Sequence, residues 1–109
     1  MSGLRSRNKG KAGERELARL LRDELGEQIT RNLVQTRDGG RDLIGLPGIS
    51  LEVKRCERTE WPKWLEQAKA QSADGEYPVV AWRRNGKPWR VFVEMDLAQF
   101  CEFARERMQ

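Results

Sequence analysis

The sequence contains no histidine. That absence excludes zinc sites built on imidazole and any histidine general base. Cysteine is scarce as well, and Cys56 and Cys101 stand far apart without a CxxC pair. A cysteine nucleophile would lack its usual base, so both thiols are expected to be reduced and packed, as in a cytoplasmic chain. No apolar run is long enough to cross a bilayer, and the first residues lack the apolar stretch of a signal peptide. A soluble protein with no membrane partner is therefore expected. There is also no internal repeat, low-complexity tract or second-domain linker. Any catalysis must come from carboxylates, lysine, arginine or a bound metal.

What is present is charge, unevenly spread. Lysine and arginine total 21 against 17 acids, for a formal charge of +4 over 109 residues. Arg5, Arg7, Lys9 and Lys11 precede the first acid. A second group, Arg83, Arg84, Lys87 and Arg90, surrounds Asn85-Gly86. Separated basic clusters suit a polyanion such as nucleic acid, although a solvated tail and a solvated turn would look the same. The length points to one domain. We expect a flexible basic arm over 1–8 and a single domain over 9–109.

Periodicity predicts a helix over 9–25, with Leu17, Leu20, Leu21 and Leu25 as its apolar stripe and Gly26 as its terminator. Glu14 projects into that stripe, and Gly10 and Gly13 allow close approach to a neighbour. A short strand is expected over 28–33, followed by a polar loop with Thr36, Arg37, Asp38, Gly39 and Gly40. "RDLIGLPGISLEVKR" reads as a hairpin around Pro47-Gly48. Trp64, Leu65, Ala68 and Gln71 recur at helical spacing, with Pro62 in the first turn. Strands over 77–82 and 89–94 should flank a tight turn at Asn85-Gly86. Asp96 and Gln99 form a capping box for a last helix that packs Leu97, Phe100, Cys101 and Ala104. Strands alternating with helices predict an α/β fold with a central mixed sheet flanked by helices.

The stretch "ISLEVKRC" alternates apolar and polar, as a half-buried strand does. Glu52 and Lys54 then point the same way while Leu51 and Val53 enter the core. Asp42 can join them only in one register. A two-residue turn at Pro47-Gly48 sets Asp42 on the wrong face, whereas a three-residue loop, Leu46-Pro47-Gly48, sets it opposite Glu52. Proline cannot take the first position of a primed two-residue turn, so local chemistry favours the odd loop or a bulge. Facing carboxylates repel unless a cation or proton lies between them. Two acids with water and phosphate oxygens suit Mg²⁺, which could polarise a phosphodiester. Lys54 could stabilise charge developing on the phosphate. The alternative is that Asp42 caps a turn, Glu52 and Lys54 form an ion pair on a solvated strand, and Glu14 answers the helix dipole.

"KGKAGERELARLL", then "TRN", then "RDLIGL" and "LEVK" together resemble the PD-(D/E)xK nuclease superfamily, in its Holliday-junction resolvase-like branch of archaeal or phage type. The likeness runs from Lys9 to the helix holding Gln67. It implies a restriction-endonuclease-like core, Asp42 and Glu52 as metal ligands, Glu14 completing the acidic site, Lys54 as catalytic lysine and Gln67 assisting. Arg41 stands where the superfamily's nominal proline would be. Mg²⁺, with Mn²⁺ as a substitute, is the implied cofactor. Arg15 and Arg31 would contact DNA, and we add Arg5, Arg7, Lys9, Lys11, Arg37 and Arg55 as candidate DNA contacts. The resulting expectation is a dimeric endonuclease for branched DNA in a bacterial, archaeal or phage-infected host cytoplasm. A nicking or repair nuclease, and a non-catalytic DNA-binding or regulatory protein on the same scaffold, are the alternatives.

Overall fold

The structure, a computed structural model, describes the backbone of residues 2–33 and 41–109, with side chains from residue 9 onward within those ranges. In chain order the elements are α1 (Ser2–Leu25), β1 (Thr30–Arg31), β2 (Leu43–Ile44), β3 (Ile49–Arg55), α2 (Trp61–Ala70), β4 (Tyr77–Arg83), β5 (Arg90–Val93) and α3 (Leu97–Arg107). The strands form one sheet in the order β1-β2-β3-β4-β5. Only β3 and β4 are parallel; the other neighbours are antiparallel. Parallel neighbours need a crossover, and α2 supplies it. The result is an α/β fold with a mixed five-stranded sheet flanked by helices, as a restriction-endonuclease-like core requires.

Two apolar layers follow from strand alternation. On one face α1 buries Leu17 and Ala18 against Leu51, Val53, Val79 and Ala81. On the other, Trp64 and Ala68 of α2 cover Val80 and Trp82. α2 carries proline in its first turn, where a missing N–H costs nothing. α1 stops at Gly26, whose positive φ of 127° suits glycine. Its N–H donates to Arg22 O (3.0 Å), while Arg22 Nη1 donates to Ile29 O (3.0 Å) and turns the chain into β1.

Several elements depart from expectation. α1 begins at Ser2, so the backbone of 2–8 continues the helix where an arm was expected; the side chains of Arg5 and Arg7 lie outside the described residues. The buried stripe is Leu17, Ala18 and half-buried Leu21, while Leu20 and Leu25 are exposed, because the sheet covers only the narrower face. Asn85-Gly86 does turn tightly, with Lys87 N–H donating to Arg84 O (3.2 Å) and Gly86 at a φ of 70°. The turn sits inside a longer link, however, since the last strand pair is Trp82 with Arg90.

β3 departs most. Alternation suggested one wet face, yet Ser50 is fully buried and Glu52 only 5% exposed. β3 is the middle strand and α2 crosses its second face, so water meets neither side for most of its length. The last helix is the opposite case. α3 has its capping box, with Gln99 N–H donating to Asp96 Oδ1 (2.8 Å) and Asp96 N–H to Gln99 Oε1 (2.9 Å). None of its residues is buried, however, and Leu97 (77%), Phe100 (52%) and Cys101 face solvent instead of packing. α3 follows the edge strand β5 and so leaves the sheet without another described element to cover its stripe.

Candidate active site

The site begins with the hairpin. Ile49 N–H donates to Leu46 O at 3.2 Å, which closes a tight turn around Pro47-Gly48 with Gly48 at a left-handed φ of 76°. Leu43 nevertheless pairs with Leu51, so one extra residue lies between Leu43 and Leu46, where Gly45 takes a φ of 97°. This bulge gives the register that a three-residue loop would give. Continued one residue, that register sets Asp42 beside Glu52. Asp42 also bulges: its N–H donates to Leu51 O (2.9 Å), so two successive residues meet Leu51. The bulge turns the Asp42 carboxylate onto β3, where Oδ2 accepts the Val53 N–H at 2.7 Å.

Asp42 and Glu52 are in hydrogen-bonding reach of each other. Burial, then the Asp42 charge and hydrogen bond, push the Glu52 carboxyl up to about 8; Lys54 pulls it down and Glu14 adds to the rise. An exposed ion pair would show none of this. Lys54 follows on the same strand face, its Nζ 5.9 Å from the centre of the Trp64 ring on α2. Beside Lys54 an open cleft of about 660 Å³ is lined by Cys56, Glu57, Arg58, Thr59, Glu60 and Trp64.

α1 brings the third acid. Burial and then the Asp42 charge raise the Glu14 carboxyl, and the hydrogen bond from Arg31 Nε to Glu14 Oε1 (3.2 Å) opposes them. The approach of α1 depends on Gly13, where a Cβ would lie 2.8 Å from Arg55 Cβ and 3.2 Å from its Cγ. Three residues on, Glu16 accepts Arg83 Nη1 (2.8 and 3.0 Å) and Trp89 Nε1 (2.8 Å), fastening α1 to the end of β4 and to the link that leads into β5.

Gly13→Ala is accordingly expected to destabilise the protein by about 1–3 kcal/mol, because a stem atom must move rather than a flexible tip. Gly10 has open space around its Cβ position, so Gly10→Ala should stabilise by up to about 1 kcal/mol through helix propensity. Urea midpoints of the two variants check this. Equal shifts of the same sign would show that close approach at Gly13 does not matter.

Among the candidate site residues, then, Glu14, Asp42, Glu52 and Lys54 come together. Gln67 is exposed on α2. Of the basic candidates, Lys11 and Arg15 are exposed, and Lys9 Nζ lies 3.7 Å from Glu57. Arg31 is engaged by Glu14, and Arg55 donates to Asn85 Oδ1 (2.7 Å). Arg37 lies outside the described residues. An open hollow of about 420 Å³ is lined by Arg15, Arg19, Arg22 and Arg31 with Glu16 and Ala18. Arg19 and Arg22 were passed over in the sequence, though they follow Arg15 at i+4 and i+7. Among the described residues no group of three or more carboxylate or thiol side chains is gathered as a metal site. A hard cation that takes one or two carboxylates with water and phosphate needs no such group.

The middle strand of the mixed sheet carries Glu52 and Lys54, and Asp42 stands just ahead of the neighbouring strand, which is the arrangement that the PD-(D/E)xK resemblance implies. The family model described as "Phage putative PDDEXK endonuclease" matches residues 5–108, and the chain belongs to that family. No curated protein and no solved structure matches the chain. No described helix is long and apolar enough to cross a membrane.

Proposed function

We propose that this chain is a divalent-metal-dependent DNA endonuclease that acts on branched DNA, Holliday junctions first among them. The observation that carries the reading is the buried Glu52 carboxyl in hydrogen-bonding reach of Asp42, on the face that also bears Lys54. Two carboxyls that must share a proton form a donor set that a hard dication fits, since the cation can take the proton's place. Asp42 and Glu52 would hold Mg²⁺ or Mn²⁺, with Glu14 as the third acid of the site. The ion would supply charge for a phosphodiester and a more acidic water.

The chain's own groups do the rest. Lys54, kept near the acids by its strand and by the Trp64 ring, places positive charge where the phosphate becomes more negative. Arg31 holds Glu14 in place. The hollow of Arg15, Arg19, Arg22 and Arg31 adjoins this end of α1 and suits a phosphodiester backbone by charge. The preference for a junction rests on the motif resemblance, and a junction needs two cuts from paired sites. The uncovered apolar stripe of α3 supports a homodimer, because a helix this short gains little stability alone in water.

The test is incubation of labelled four-way junction, flap, nicked and linear duplex with the protein, with Mg²⁺ or with EDTA, beside sedimentation equilibrium of protein and complex. Metal-dependent cleavage fastest on the junction, by a dimer, is the expected result. Preference for flap or nicked duplex by a monomer would favour a nicking or repair nuclease. Tight binding without cleavage would leave a DNA-binding or regulatory protein.

A further inference from the structure

Asp42 has little regular structure to hold it, since it precedes a strand of only two residues, Leu43–Ile44. The grip comes from its neighbour. Arg41 Nη1 and Nη2 donate to Glu76 Oε2 and Oε1, both at 2.6 Å, and Nη1 also reaches Ile49 O at 3.1 Å. We infer that Arg41, locked to Glu76, is the positioning residue that holds the Asp42 carboxylate against β3.

The geometry fits that role. Glu76 immediately precedes β4, and its Oε1 also accepts the Ala73 N–H at 2.8 Å. Tyr77 N–H donates to Gly48 O at 2.9 Å. The guanidinium therefore ties the segment leading into β2 to the first residue of β3 and to the residue just ahead of β4. A two-pronged pair fixes orientation as well as distance, which a lysine cannot do. Its side chains are only 24% and 16% exposed, so water competes weakly. Hydrogen bonding raises the Arg41 pKa and lowers that of Glu76, as expected of a pair held in its charged form. The backbone is gripped too: Asn32 Nδ2 donates to Arg41 O (3.0 Å) and Asn32 N–H to Asp42 O (2.9 Å). Held on both sides, Asp42 can keep Oδ2 on the Val53 N–H and stay beside Glu52. An arginine waiting for a DNA phosphate would not have both prongs committed to a carboxylate.

The catalytic meaning of this clamp rests on the nuclease reading, but its geometry can be read without cleavage. The Val53 amide reports directly on Asp42, so hydrogen exchange is followed by NMR in metal-free Arg41→Met and Glu76→Gln. Val53 should exchange about tenfold faster in both, while the Val79 and Ala81 amides of β4 stay unchanged. On DNA with Mg²⁺, each variant should lose about 10- to 100-fold in kcat with KM preserved. The double variant should be no worse than either single one, and Arg41→Lys should recover only part. Unchanged Val53 exchange overturns the inference. So does equal acceleration at Val79 and Ala81, which marks a merely structural pair, or a raised KM with kcat intact, which marks a DNA contact. If the wild type cleaves no DNA, the nuclease reading fails, and Val53 exchange still decides the clamp.

Discussion

Asp42→Asn, Glu52→Gln and Lys54→Ala should each lower DNA cleavage by about 10²- to 10³-fold or more. The first two remove a charged oxygen from the pair that would hold the cation. The third removes the positive charge placed beside it. Their effects on DNA binding should differ in sign. Asp42→Asn deletes negative charge where a phosphate must sit, so affinity measured in EDTA should rise. Glu52→Gln replaces a carboxyl that stays protonated without metal near neutral pH, so affinity in EDTA should hold. Lys54→Ala should weaken it modestly. Glu52 is the residue to watch, because it is buried and its neighbours are set around a carboxyl; glutamine keeps that shape. Single-turnover rates with saturating protein separate binding from chemistry. Variants that bind DNA far more weakly, yet cleave normally once bound, would show that these residues serve the interface and not the reaction.

Without metal, the protein should lose stability as pH rises from about 5 to 9. The sign follows from Glu52. Burial and the Asp42 charge raise its carboxyl from the ordinary value to about 8, so the folded state binds a proton that the unfolded chain has released. Its contribution is full below the ordinary glutamate pKa and is lost as pH passes through 8. At about 1.4 kcal/mol per unit the loss amounts to several kcal/mol. Glu14 is raised by the same causes and adds in the same direction. Glu76 is lowered by Arg41, so its contribution fails only in acid, below this window. Glu52→Gln should flatten the curve and leave the variant more stable than the wild type at pH 8 in EDTA. Saturating Mg²⁺ should restore the wild type there, because the cation binds the folded state alone. Urea unfolding at several pH values measures this; parallel curves for wild type and Glu52→Gln would show that Glu52 carries no strain.

The hairpin shows how much chemistry can be read locally. Proline at position 47 forbids a primed turn at that place, and glycine at 48 accepts the left-handed conformation. Together they make the tight turn, and the extra residue just ahead of it, where Gly45 takes a φ of 97°, sets the register and so the face on which Asp42 lies. The capping box of α3 and the stop of α1 at Gly26 are local in the same way. Arg19 and Arg22 were legible too, by helical spacing from Arg15, but a charge on a helix surface carries no sign of what it faces.

What the sequence by itself determined is the set of parts: an acid–x–lysine strand, a turn of one register, and a chemistry restricted to carboxylates, lysine and arginine. Tertiary structure alone decided that Glu52 is buried, since alternation records polarity and not which layer will cover a face. It likewise put Glu14 within reach of Asp42 through the close approach at Gly13. It joined Arg41 to Glu76 across 35 residues of chain. It also left the stripe of α3 uncovered, where periodicity foretold packing. The physical reason is common to all four. Turn and cap preferences are written in neighbouring residues, whereas burial and ion pairing depend on surfaces that meet only after the sheet has formed.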